Sequence, residues 1–344
     1  MLSRFRSAAR ILLKGDSKKK KRNPIPAITA EEVAEIKQFF PREKFFIFGH
    51  ARSGTTLLMR LARLHPEVHC NYQAHFFTRQ PLLKSFVNTP EAEEWLTRKS
   101  NRWNQGRDLS PLVLRAAADF IMERDVAKEG MASARIVGDK SPSSTIHGQA
   151  VRDMHAVYPD AKLVYIVRDG RDVLISERFR NLVEESKFLT AEDKRIVEEL
   201  RKDQTQFTNG TRSIFTEAVI RRVAKGWVTN LQETDDEGRR LFGENYHSLR
   251  YEDLLAHPFT EVLRLWTFLG VPVGPSIEKT VIEEMSSNPD EEWQAKRNED
   301  IASFLPKGQA GNWQRLFTAR DKAIFKEVAG KMLVRWGYEK NLDW

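Results

Sequence analysis

The sequence predicts an α/β fold, a three-layer domain with a central parallel sheet, a P-loop-like phosphate-binding loop and helical insertions. Three observations predict it. Short apolar runs alternate with segments of helical periodicity, a glycine-bearing turn joins the first strand to the first core helix, and the clearest strand ends on an arginine.

Residues 1–35 read as a basic, flexible tail and linker, and 36–344 as the folded domain. Residues 1–22 hold nine cations against Asp16, so they carry the whole formal net charge of +8 and the remaining 322 residues sum to zero. A neutral body argues against a general nucleic-acid surface, which needs cations spread along a groove. Within the tail, Leu2, Phe5, Ala9, Leu12 and Leu13 recur at helical spacing opposite Arg6, Arg10 and Lys14. That pattern suits weak contact with an anionic membrane surface, and the competing reading is a solvated terminus. The Ile11 to Leu13 segment is too short for a cleavable signal, and the Lys18 to Arg22 block follows it. No run approaches the roughly twenty apolar residues of a membrane span. The single cysteine, Cys70, forbids an intrachain disulfide. The expected location is cytoplasmic, peripheral at the membrane at most.

A polar helix is expected from Ala30 to Phe40. Lys44 to Phe48 is a buried strand bounded by Gly49, and Leu57, Leu58, Leu61 and Leu64 follow a helical rhythm stopped by Pro66. A second strand is expected from Arg135 to Gly138, followed by Asp139-Lys-Ser-Pro142 and a helix through Val157. The third, Lys162 to Val167, ends at Arg168 and leads into a helix from Arg171 to Arg180. A fourth, Asn245 to Tyr251, precedes a helix from Phe259 to Leu269. Residues 75–130 and 181–240 read as helical insertions, with Trp95, Trp103 and Trp227 as packing anchors.

The turn Gly49-His-Ala-Arg-Ser-Gly54-Thr55-Thr56 aims successive backbone N–H groups into one concavity at a helix N-terminus, a cradle for phosphate. A nucleoside triphosphatase loop of the form G-x-x-x-x-G-K-S/T has lysine where this chain has Thr55, and the loop's cation is Arg52. Arg52, Ser53, Thr55 and Thr56 make sense around an anion and have little purpose in a plain turn. Arg168 lies at the carboxyl end of a strand, where open α/β sheets bind ligands, and Ser176 follows eight residues later. Lys307-Gly308-Gln-Ala-Gly311-Asn-Trp313 reads either as a surface turn or as a flap over the same phosphate.

These segments, in this order, resemble the sulfotransferases that use 3'-phosphoadenosine 5'-phosphosulfate (PAPS). The resemblance implies that Arg52, Ser53, Gly54, Thr55 and Thr56 hold the 5'-phosphosulfate and that Arg168 and Ser176 bind the 3'-phosphate. It places Tyr251, in Arg250-Tyr-Glu-Asp253, by the adenine, and makes Lys307 and Gly308 part of the closing flap. Pro306 and Asn312 depart from the flap pattern, Leu57 replaces a stacking tryptophan, and the histidine of the steroid and phenol branch is missing. Asp139-Lys140-Ser141-Pro142 is similar to the E-K-T/S-P segment of carbohydrate sulfotransferases. The glutamates that protein-tyrosine sulfotransferases carry after the first helix are absent from His69 to His75.

The expected chemistry is sulfuryl transfer to a hydroxyl or amine, with Asp139 as general base and Lys140 and Arg52 as electrostatic stabilisers. His75 and His147 are reserve bases, while His50 is a loop packing or ligand contact. No metal is required. The acceptor is a small molecule, carbohydrate or lipid-like alcohol, with His75, Phe76, Phe77, Trp95 and Trp103 either lining its pocket or buried as core. The competing readings are a P-loop kinase of a small molecule or nucleotide, and a non-catalytic nucleotide-binding scaffold.

Overall fold

The computed structural model describes residues 22–98, 100, 102–183, 189–272, 277–287 and 308–344. Five parallel strands, β1 (Glu43–Gly49), β2 (Val68–Tyr72), β3 (Ile136–Lys140), β4 (Lys162–Val167) and β5 (Tyr246–Arg250), form one sheet in the order β2-β3-β1-β4-β5. β1 is central, so the turn leaving it opens at the carboxyl edge between β3 and β4.

Alternation along β1 supplies both faces of the sheet. Phe46 and Phe48 join a core under the helices Ser110–Lys128, Gly148–Val157, Gly170–Val183, Glu217–Phe242 and Ala319–Arg335. Phe45 and Ile47 join the opposite core, with Leu58 and Leu61 of the helix Thr55–Ala62 and Leu265 and Trp266 of Pro258–Leu269. The strands are near-continuously buried for this reason, each fully buried large side chain contributing roughly 1.5–3 kcal/mol.

Four of the strands lie where apolar runs predict them. β2 is missed because His69 and Asn71 interrupt its apolar pattern, yet both are buried, His69 Nε2 lying 2.9 Å from Asn71 Oδ1. Trp227 is a fully buried anchor, whereas Trp95 and Trp103 are 61% and 51% exposed, their rings paired at 5.4 Å. Short amphipathic segments offer them each other as cover. The flexible linker expected up to residue 35 is docked from residue 22 onward. Arg22 donates to Asp108 Oδ2 at 2.9 Å, and the Ile28 N–H donates to the Ala156 carbonyl at 2.8 Å. The tail from 1 to 21 lies outside the described residues, among which no helix is long and apolar enough to cross a membrane.

Gly138 is required by close approach, since a Cβ there would lie 2.5 Å from the ring of Phe45, which is itself completely enclosed. Gly138→Ala should lower unfolding stability by about 1–3 kcal/mol through overpacking, read from urea unfolding curves; an unchanged midpoint would refute this account of the strand pair.

Candidate active site

The turn after β1 wraps because two residues take left-handed backbone conformations, Arg52 at φ 73° and Gly54 at φ 86°. Gly54 also meets Tyr251, whose Cδ2 would lie 2.2 Å from an added Cβ, so only glycine fits. The helix Thr55–Ala62 begins there with no acidic residue in its first turn, leaving the positive end of its dipole uncompensated by side chains. Ser53 and Thr55 are buried, and Ser53 Oγ has no hydrogen-bond partner.

Arg168, at the end of β4, donates from Nη1 to the Arg52 carbonyl (3.1 Å) and from Nη2 to the Gln309 carbonyl (2.9 Å). Its guanidinium lies 4.8 Å from the Tyr251 ring centroid, and its buried Nε has no partner. Ser176 Oγ accepts from Arg52 Nε at 2.9 Å. The two clusters predicted as separate grips are therefore in direct contact across one site. Tyr251 forms its floor and donates its hydroxyl to the Gly308 carbonyl at 2.6 Å. Lys307 lies outside the described residues.

Three supports carry no motif signal. Trp227 Nε1 donates to the Arg168 carbonyl at 2.9 Å, fixing the strand end. Asp172 accepts from the Gly311 and Trp313 N–H groups at 2.7 and 3.1 Å, tying the flap to the helix Gly170–Val183. Burial holds the Asp172 carboxyl above its ordinary range. Arg171 packs against the touching indoles of Trp313 and Trp344, 3.7 and 4.6 Å from their centroids, and is ion-paired with Asp169 and Glu339. A cavity of about 470 Å³ opens beside them.

At the end of β3, Lys140 is fully buried and donates to Thr56 Oγ1 at 3.1 Å. Its Nζ lies 3.9 Å from the ring centroid of Tyr72, a residue that is 62% exposed and that the motifs do not single out. Burial lowers the Lys140 pKa to about 8. Asp139 is also completely buried. Its Oδ1 accepts from the Ala74 N–H at 2.8 Å and its Oδ2 from the Ser141 hydroxyl, and burial raises its pKa to about 6. Like Lys140 beside it, Asp139 is enclosed in this arrangement.

Asp139 braces the turn after β2. The Gln73 N–H donates to the Lys140 carbonyl (3.0 Å), Ala74 to Asp139, and His75 to Ser141 Oγ (2.9 Å). Stitching three successive N–H groups to β3 accompanies left-handed backbone at Gln73 and His75, φ 62° and 56°. His75 is half-buried, its Nδ1 lies 2.9 Å from Thr78 Oγ1, and burial, Arg79 and Lys140 lower its pKa below 6.5. His147 Nδ1 accepts from Asn230 at 3.0 Å, and His50 Nδ1 donates to the Ala51 carbonyl at 2.8 Å. Phe76 and Phe77 are core, packed towards Phe46 and Tyr158, and the Trp95–Trp103 pair is surface, so these four do not form a lined pocket. Among the described residues no cluster of three or more His, Cys, Asp or Glu is arranged to hold a metal.

The orphaned Ser53 Oγ and Arg168 Nε, beside a helix start with no acidic residue in its first turn, fit a phosphorylated ligand. Residues 44–275 match the family model described as "Sulfotransferase family". The chain is 26% identical over 227 residues to protein-tyrosine sulfotransferase A of Caenorhabditis elegans, covering 66% of this chain and 50% of that protein. It is 24% identical over 232 residues to the protein-tyrosine sulfotransferase of Drosophila melanogaster, covering 67% and 39%. The chain thus spans half or less of the length of these curated relatives. A crystal structure of a mouse sulfotransferase complexed with PAP aligns with a TM-score of 0.46 and 14% identity, over 89% of this chain and 90% of that one.

The buried carboxyl makes a stability prediction. Because Asp139 titrates near 6 in the folded state against 3.8 unfolded, its contribution to stability falls as pH rises from about 4 to 6 and is level above. The stability advantage of the wild type over Asp139→Asn should therefore be larger at pH 4.5 than at pH 7.5 in urea unfolding. A difference independent of pH would show that the carboxyl is not perturbed.

Proposed function

The chain belongs to the sulfotransferase family, and from that premise we propose that it transfers a sulfuryl group from PAPS to a hydroxyl acceptor, with residues 36–344 as the transferring domain. The observation that carries the reading is the clasp itself. Arg52 and Ser176 touch, Arg168 bonds the same loop, and Ser53 Oγ and Arg168 Nε are left without partners between them. Buried donors left unpaired are costly, so a ligand rich in acceptor oxygens offsets a penalty the protein otherwise bears.

In this reading Arg52, Ser53, Gly54, Thr55 and Thr56 hold the 5' end of the donor, and Arg168 and Ser176 the 3'-phosphate. Tyr251, Gly308 and Lys307 cover the nucleotide. The donor supplies an activated sulfuryl group whose sulfur–oxygen bond to the 5'-phosphate breaks as the acceptor oxygen bonds to sulfur. Lys140 and Arg52 stabilise charge on the oxygens around that sulfur. Asp139 acts through the turn it braces, and His147, committed to Asn230, is set aside as base.

The named relatives favour the phenol of tyrosine in a peptide as the first acceptor to try, ahead of a carbohydrate or lipid-like alcohol. A P-loop kinase is not favoured, since Thr55 stands at the phosphate lysine.

Two measurements test the reading. Calorimetry should show PAP binding without magnesium and indifference to ATP, with Arg168→Ala and Ser176→Ala each weakening PAP about tenfold or more; the reverse nucleotide preference would overturn the assignment. Turnover with a tyrosine peptide should fall on the alkaline side near 8 as Lys140 loses its proton. PAP binding without release from PAPS across phenol, sugar and alcohol acceptors would leave a scaffold.

A further inference from the structure

Lys140 arrives at the cradle as a fully buried ammonium with one hydrogen bond to Thr56 and an aromatic face against it. The parallel ladder explains the contact, because Tyr72 and Lys140 are register partners at the ends of β2 and β3 and so project on the same side of the sheet. Beyond Tyr72 the chain turns at once through the left-handed Gln73, whose N–H is tied to the Lys140 carbonyl. The strand end that carries the ring is thereby pinned to the residue the ring covers.

We propose that Tyr72 is a positioning residue for Lys140, its ring holding the ammonium charged and turned toward Thr56 at the sulfuryl end of the cradle. This inference rests on the sulfuryl-transfer reading above. The ring is 62% exposed, so packing does not account for an aromatic residue at this position. An ammonium 3.9 Å from a ring centroid is well inside the range in which the ring quadrupole favours the cation. The other titratable groups around the ammonium are Asp139 on its own strand, Cys70 on β2 and His75 in the turn. Asp139 favours the charged lysine and burial disfavours it; Cys70 is pushed well above its ordinary pKa by burial and remains a neutral thiol. The Tyr72 ring thus joins the Thr56 hydroxyl in offsetting desolvation of the ammonium, and it does so without forming an ion pair that would neutralise Lys140 toward an incoming anion.

Tyr72→Leu keeps an apolar cover and removes the π face, whereas Tyr72→Phe keeps the face and removes the hydroxyl. In protein carrying isotope-labelled lysine, the Lys140 titration followed by NMR should move down by about half a unit in Tyr72→Leu and stay in place in Tyr72→Phe. With PAPS and a tyrosine peptide, Tyr72→Leu should lower kcat about tenfold, leave KM for PAPS unchanged and move the alkaline limb to lower pH, with Tyr72→Phe close to wild type. An unmoved Lys140 titration in Tyr72→Leu overturns the proposal, as does an equal loss in both variants, which would assign the role to the hydroxyl. Failure of the wild type to bind PAP would instead overturn the nucleotide reading, and the proposal with it.

Discussion

Arg168 forms the contact on which the site is built. One guanidinium, held at the end of a buried strand, bonds the carbonyl of Arg52 in the turn after β1 and that of Gln309 in the flap, and lies over the ring of Tyr251 after β5. Four stretches of chain far apart in sequence are set at fixed distances by a single planar group with several donors. Lysine has the charge but not the fork, and would leave at least one carbonyl unpaired. The strand end itself is held by the Trp227 indole, so a residue deep in the core governs where the turn after β1 is allowed to lie.

Adjacent residues on a strand point to opposite faces, and β3 uses this to divide two tasks. Asp139 turns toward the loop that carries His75, and Lys140 toward the helix that starts at Thr55. Both are completely buried, and the same desolvation moves their pKa values toward each other, to about 6 and about 8. The carboxyl organises backbone while the ammonium is presented to the cradle. Neighbours in sequence thus serve unlike roles because the pleat separates them.

The cradle was legible because its chemistry is local: glycine, cation and hydroxyls occur within eight consecutive residues. Arg168 and Ser176 were legible because a strand end and the next helix are joined by a short connection. Tyr72 and Asp172 were not, and Trp227 was legible only as a packing anchor, since each acts across the sheet or between helices and no short spacing announces such a contact. The backbone contacts of Asp139 were hidden for a related reason. Its residue type and the adjacent lysine suggested a base, whereas its exposure depends on β2, a strand whose His and Asn concealed it. Phe76 and Phe77 were assigned to a pocket or to core with equal warrant, and packing against Phe46 decides for core.

The packing of Arg171 against both Trp313 and Trp344 has an optical consequence. Both indoles lie beside a guanidinium and several carboxylates, next to the segment that Asp172 and Arg168 tie down. Their emission is therefore sensitive to any opening of that segment, since a change of a few ångströms replaces the charged neighbour with water. Among the eight tryptophans of the chain, these two thus report on how that segment is packed.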